Sequence, residues 1–157
     1  MNRAWIEERI PHQGRMCLLD EVIEWDTQHI RCRSVTHRNL DNPLRSQDRL
    51  GIACGIEYAA QAMALHGALA AHGALAGGAT GGAPVPASRI GFLAGVRDVR
   101  LWVSRLDNIE SDLICEAVLI AGDGVTAIYE FTLGDALRHL LSGRATILLN
   151  ADGRVQT

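Results

Sequence analysis

Between Arg49 and Arg89 the chain carries one formal charge, Glu57, set inside the Ala- and Leu-rich run Ile52–Leu75. The run predicts a helix over Ile52–His72, and its apolar residues on every side require wrapping around most of its circumference. It makes a poor membrane span, because Glu57, Gln61, His66, His72 and two internal glycines interrupt it. A carboxylate removed from water costs several kcal/mol or more, and the usual relief is a raised pKa that keeps the group protonated near neutral pH. A neutral acid of that kind can give a proton. The alternative is a Glu that reaches solvent or a partner chain.

The flanking segments supply the wrapper. Met16–Trp25 and Gln28–Val35 read as two strands reversed at Asp26–Thr27, and Asn39–Arg49, with Asn42–Pro43, reads as a loop into the helix. Gly73–Ser88 has the composition of a surface loop. It is no phosphate cradle, because Ala83–Pro84 follows Gly82 where a P-loop needs Lys and Ser or Thr. Ile90–Trp102, Asp112–Ile120, Val125–Leu133 and Gly143–Leu149 read as four more strands, the last three as an antiparallel meander, with Leu137–Leu141 open between strand and helical turn. Two strands, one long helix and four strands give an α+β fold. An antiparallel curved sheet wrapped around a central helix is the hotdog arrangement. One copy leaves a sheet edge and a helix flank uncovered, so a homodimer or dimer of dimers is expected.

With 157 residues, 48% of them hydrophobic, the chain is expected to form a single domain over residues 1–157. A net charge of −3 argues against nucleic acid as the main partner. All fifteen basic residues are Arg, so lysine nucleophiles and Schiff bases are excluded. Cys17, Cys32, Cys54 and Cys115 are scattered singly and read as core thiols; no spacing suggests a metal site, and no cofactor is expected. Met1–Ile10 lacks the continuous apolar stretch of a secretion signal, which points to the cytoplasm.

Four stretches resemble the β-hydroxyacyl-carrier-protein dehydratases, and most closely their divergent aryl-polyene branch. They are Ile10–Pro11–His12 with Met16–Asp20, Asn42–Pro43–Leu44, Gly55–Gln61 and Gly91–Val99. The resemblance implies dehydration of a 3-hydroxyacyl thioester, carried on acyl carrier protein or coenzyme A, to the trans-2-enoyl thioester in fatty-acid or polyene-type lipid synthesis. Glu57 falls on the family's helical acid, with Gln61 one turn later on the same face. The family's usual Gly-His-Phe-Pro-Gly segment is absent, since Arg45–Gly51 stands there without a His.

The base must come from elsewhere. His12, after Pro11, and His37, at the end of the second strand, are the two candidates, with His12 preferred; His66 and His72 lie more than two helical turns on, where packing roles are expected. Backbone N–H groups at Ile52, Ala53 and Cys54 are expected to receive the enolate charge. Ile56, Tyr58, Leu93 and Val96 are candidate tunnel residues, set against ordinary core. Arg45, Arg49, Arg97 and Arg100 are candidates for docking an acidic carrier protein. Two rival readings stand beside dehydration: a hotdog acyl-thioester hydrolase, and a non-catalytic subunit that binds a carrier protein.

Overall fold

Strict alternation lays out the sheet. In β2 (His29–Ser34), Ile30, Cys32 and Ser34 point inward; in β4 (Leu113–Gly122), Leu113, Cys115 and Ala117 do so; in β5 (Thr126–Gly134), Ala127, Tyr129, Phe131 and Leu133 follow. With β1 (Glu21–Trp25), β3 (Ile90–Leu101) and β6 (His139–Asn150) they form one antiparallel sheet in the order β1-β2-β4-β5-β6-β3. This computed structural model describes residues 1–76 and 90–150.

A short helix, α1 (Arg3–Glu7), precedes the sheet, and the long helix α2 (Gly55–Ala76) packs against β2, β3, β4 and β5. The expected α+β arrangement is therefore present. Gly55 starts α2 where a Cβ would stand 2.7 Å from the Leu133 side chain, so glycine lets the first turn settle onto β5. The helix continues past His72 to Ala76, into the stretch read as loop. The remainder of that loop reading lies outside the described residues.

The first strand is shorter than the sequence predicts. Gly14–Met16 is a 3-10 turn and pairing begins only at Glu21, because side chains take the backbone groups a ladder would use. Gln61 takes Met16 O and Leu18 N–H, and the Ser34 and Thr36 hydroxyls donate to Leu18 O. At the other end, His139–Leu141 joins β6, which resolves the ambiguous Leu137–Leu141 as a strand start. Cys17, Cys32 and Cys115 are buried as expected, whereas Cys54 is only partly so.

Among the described residues two surfaces stand open. Glu57, Ala60, Ala64, Gly67 and Ala71, spaced three and four apart, mark a partly exposed flank of α2, while Tyr58, Ala59, Ala62, Met63 and Leu65 are buried. Among the described residues strand β3 pairs only with β6, and Phe92, Leu93, Val96, Val99 and Leu101 stand exposed along it. A long apolar edge of that kind is a template for pairing with another chain.

Candidate active site

Of the two readings of Glu57, a buried acid or one that reaches solvent, the fold builds neither extreme. Glu57 lies on the open flank of α2 with its side chain 33% exposed, since the stripe it belongs to faces away from the sheet. Its Oε1 accepts a hydrogen bond from Gln61 Nε2 at 3.1 Å and lies 3.1 Å from His12 Nε2. The second contact joins a helix residue to a loop residue 45 positions earlier in the chain.

The loop reaches that place because three side chains hold it. Asn2 caps α1 by accepting from Trp5 N–H, and Arg3 on the same helix donates to Glu7, Asp20, Gly14 O and Cys17 O. Gln13 donates to Glu7 O, and Gly14 takes a left-handed φ of 57° to turn the chain. Gln61 closes the joint: its Oε1 accepts from Leu18 N–H at 2.8 Å, and its Nε2 donates to Met16 O at 2.8 Å. Those two backbone partners fix which end of the amide is which. Gln61 Nε2 is therefore a donor to Glu57.

Behind the pair stands a buried polar cluster. Thr36 Oγ1 and Tyr58 Oη are 2.9 Å apart, and Asn42 Nδ2 donates to Tyr58 Oη and Thr36 O. Burial pushes the Tyr58 hydroxyl up, against the pull of those bonds. This corrects the tunnel reading of Tyr58, whose ring is core and whose hydroxyl is engaged. Asn42 reads from sequence only as a turn residue; its buried tie to α2 carries no local signal.

His37 does not meet Glu57. It is fully buried in the 3-10 turn Thr36–Arg38 with Nε2 donating to Ile109 O at 3.0 Å, and burial lowers its pKa. The oxyanion expectation also needs correcting. Ile52 N–H donates to Ser104 O and Cys54 N–H to Gly51 O, while Ala53 lies exposed at the surface. Neither of the first two has a free backbone donor. Ile56 borders the open flank, but Leu93 and Val96 lie exposed on β3 and wall no tunnel within one chain. Arg45 is turned inward to Asp48 O and Asp107, which withdraws it from a docking face. Burial raises the Cys54 thiol, so it is no ready nucleophile.

Arg45–Gly51, which replaces the missing His segment, is a tight reversal. Ser46 and Arg49 exchange backbone bonds around Gln47 and Asp48, both with positive φ, and Leu50 N–H then ties down to Asp107. Among the described residues no group of three or more His, Cys, Asp or Glu could hold a metal. No helix among them is long and apolar enough to cross a membrane.

A six-stranded antiparallel sheet packed on one long helix defines a hotdog-fold protein, and its helical carboxylate stands against an imidazole. The sequence matches the ApeP-like family, described as ApeP dehydratase, over residues 4–154, and the chain belongs to that family of dehydratases, which are hydro-lyases. No curated protein matches it. Among solved structures it is similar to the dehydratase heterocomplex ApeI:P from Xenorhabdus doucetiae, at 23% identity and a TM-score of 0.74, covering 94% of this chain and 91% of that one. It is also similar in fold to an HP0420 homologue from Helicobacter felis, at 11% identity, TM-score 0.60 and 93% and 88% coverage. A hypothetical thioesterase with coenzyme A from Streptococcus pneumoniae TIGR4 follows at 9% identity, TM-score 0.57 and 83% and 85% coverage. The hydrolase reading thus has support from fold alone.

Proposed function

We propose that the chain removes water from a 3-hydroxyacyl thioester borne on an acyl carrier protein or coenzyme A, with His12 and Glu57 as its proton-handling pair and Gln61 as their anchor. The observation that carries this reading is the 3.1 Å contact between His12 Nε2 and Glu57 Oε1 on a partly open surface. Dehydration takes a proton from C2 and releases hydroxide from C3, so one site must both accept and return a proton. A neutral imidazole can do so near neutral pH, and that part is assigned to His12 in the absence of the family's usual histidine.

A second hotdog subunit, whether another copy or a different chain, is proposed to complete the site. It would cover the β3 edge and the flank of α2 that carries Glu57, and the acyl chain would run between the subunits past Ile56, Leu93 and Val96. The heterocomplex among the similar structures fits that reading. Free thiols and carrier-borne thioesters suit a reducing compartment, and the cytoplasm is the proposed location.

The test uses a 3-hydroxyacyl thioester and its saturated analogue, with the protein alone and with its copurifying partner. A reversible enoyl absorbance from the hydroxy substrate only is the expected result. Release of free thiol from both substrates would replace dehydration with hydrolysis. Carrier-protein binding without turnover at any chain length would leave a binding subunit.

A further inference from the structure

One guanidinium brackets His12 along the chain. Before His12, Arg3 Nε donates to Glu7 Oε1 at 3.4 Å. After it, Arg3 Nη2 donates to Gly14 O at 2.7 Å and Cys17 O at 2.6 Å, across the 3-10 turn Gly14–Met16, and Nη1 donates to Asp20 Oδ1 at 3.2 Å. Residues 8–13 are thereby a loop closed at its base by a single side chain, with Gln13 adding one bond to Glu7 O. Asp20 Oδ2 accepts from Val35 N–H at 2.7 Å, which fixes that base to the end of β2. Among the described residues the backbone of His12 makes no hydrogen bond, so the ring takes its position from the ends of the loop. Gln61 cannot set both ends, because its loop partners, Met16 and Leu18, both follow His12.

We infer that Arg3 is a positioning residue for the reaction, acting on its rate through the placement of His12 against Glu57. The inference rests on the proposed role of that pair. Arginine suits the task better than any other residue, because its planar fork of N–H donors holds acceptors on both sides of the loop at once. A lysine ammonium is a point charge on a flexible stem and cannot span them. Displacing a reacting group by about 1 Å can cost on the order of 100-fold in rate, with the groups that bind the rest of the substrate left untouched. Loss of the fork therefore acts on kcat and spares KM. The ion pairs of Arg3 with Glu7 and Asp20 are partly exposed and add little to overall stability, which separates its effect on rate from unfolding.

The experiment compares the full chain with Arg3→Met, Arg3→Lys and Arg3→Met combined with His12→Gln, each at a temperature where thermal unfolding shows it folded. On a 3-hydroxyacyl thioester, Arg3→Met should lower kcat about 10- to 100-fold with KM within about threefold. Arg3→Lys, which keeps the charge and loses the fork, should stay below about half of the parent kcat, and it carries the comparison if Arg3→Met does not fold. In the His12→Gln background, Arg3→Met should cost less than about twofold, because the residue it positions is gone. An equal loss in both backgrounds, or full activity in Arg3→Lys, overturns the inference. The rings are also read by NMR with 13C-histidine, each assigned by its loss in His12→Gln and His66→Phe. The His12 resonance should shift in Arg3→Met and Arg3→Lys while that of the buried His66 stays in place. An unmoved His12 resonance, or shifts of equal size at both rings, overturns the inference. The resonances report even if no thioester turns over, so failure of the proposed function and failure of this inference are read separately.

Discussion

His12 and His66 are both tied to α2, and their surroundings differ in the one respect that matters. His66, on the third turn of the helix, is fully buried; its Nε2 donates to Asp26 O at 3.0 Å and its Nδ1 accepts from the Tyr129 hydroxyl at 2.9 Å. Every polar atom of that ring has a neutral partner. Burial accordingly lowers the His66 pKa and pushes the Tyr129 hydroxyl up to about 12. His12 is 29% exposed, faces a carboxylate, and keeps one nitrogen without a partner among the described residues. A histidine whose bonds are complete fastens a helix to a sheet; one left incomplete beside a charge can do chemistry.

Substitution should separate the two most sharply at His12. His12→Gln is expected to lower kcat by about 10² to 10⁴, the usual worth of a positioned base, with stability changed by no more than about 0.5 kcal/mol. His66→Phe should do the reverse. It strands the Tyr129 hydroxyl and Asp26 O in the core at about 1–3 kcal/mol, lowering Tm by about 2–4 °C per kcal/mol, while the folded fraction keeps its kcat. Steady-state kinetics and thermal unfolding of both variants check the pair. Full activity in His12→Gln would dissolve the contrast.

Gln61 belongs to both worlds, and Gln61→Leu should show both effects, the catalytic one at smaller size. Loss of its bonds to Met16 O and Leu18 N–H frees the loop that bears His12, at about 1–3 kcal/mol of stability. It also loosens the pair, lowering kcat by about tenfold or more. Denaturant unfolding measured beside kinetics at low temperature separates the two losses.

The smallest expected effect lies in pH. Burial holds His66 and His37 below the ordinary 6.5, with backbone bonds to Asp26 and Ile109 opposing it. The unfolded chain therefore binds more protons just below pH 6.5, and stability is full above that pH and declines as pH falls. Urea midpoints measured at pH 7.5 and pH 5 in the parent chain and in His66→Phe should show a smaller loss in the variant. Equal losses would remove His66 from the account.

Much of the architecture was legible because it depends on local pattern. Apolar and β-branched composition marked β2, β4 and β5, and the asparagine-proline and Asp26 breaks marked turns; Asp26 Oδ1 indeed accepts from Gln28 and His29 N–H. The helix announced itself by its lack of charge. Where the reading failed, distant groups had overridden local preference. Met16–Asp20 has strand composition, but Gln61, Ser34 and Thr36 take its backbone bonds, so pairing starts late. Ile52 looked like an oxyanion donor until Ser104 O took its N–H.

The sequence by itself determined the order of the six strands and the long helix, the single acid on that apolar helix, and the family to which the chain belongs. It did so because hydrophobic period and turn chemistry act between near neighbours. Only the tertiary structure brought His12 rather than His37 against Glu57, set Glu57 on an open flank, and tied Gln61 to both Glu57 and the loop. Those choices depend on contacts between residues 40 or more positions apart, which no local preference encodes and which packing alone brings within hydrogen-bond reach.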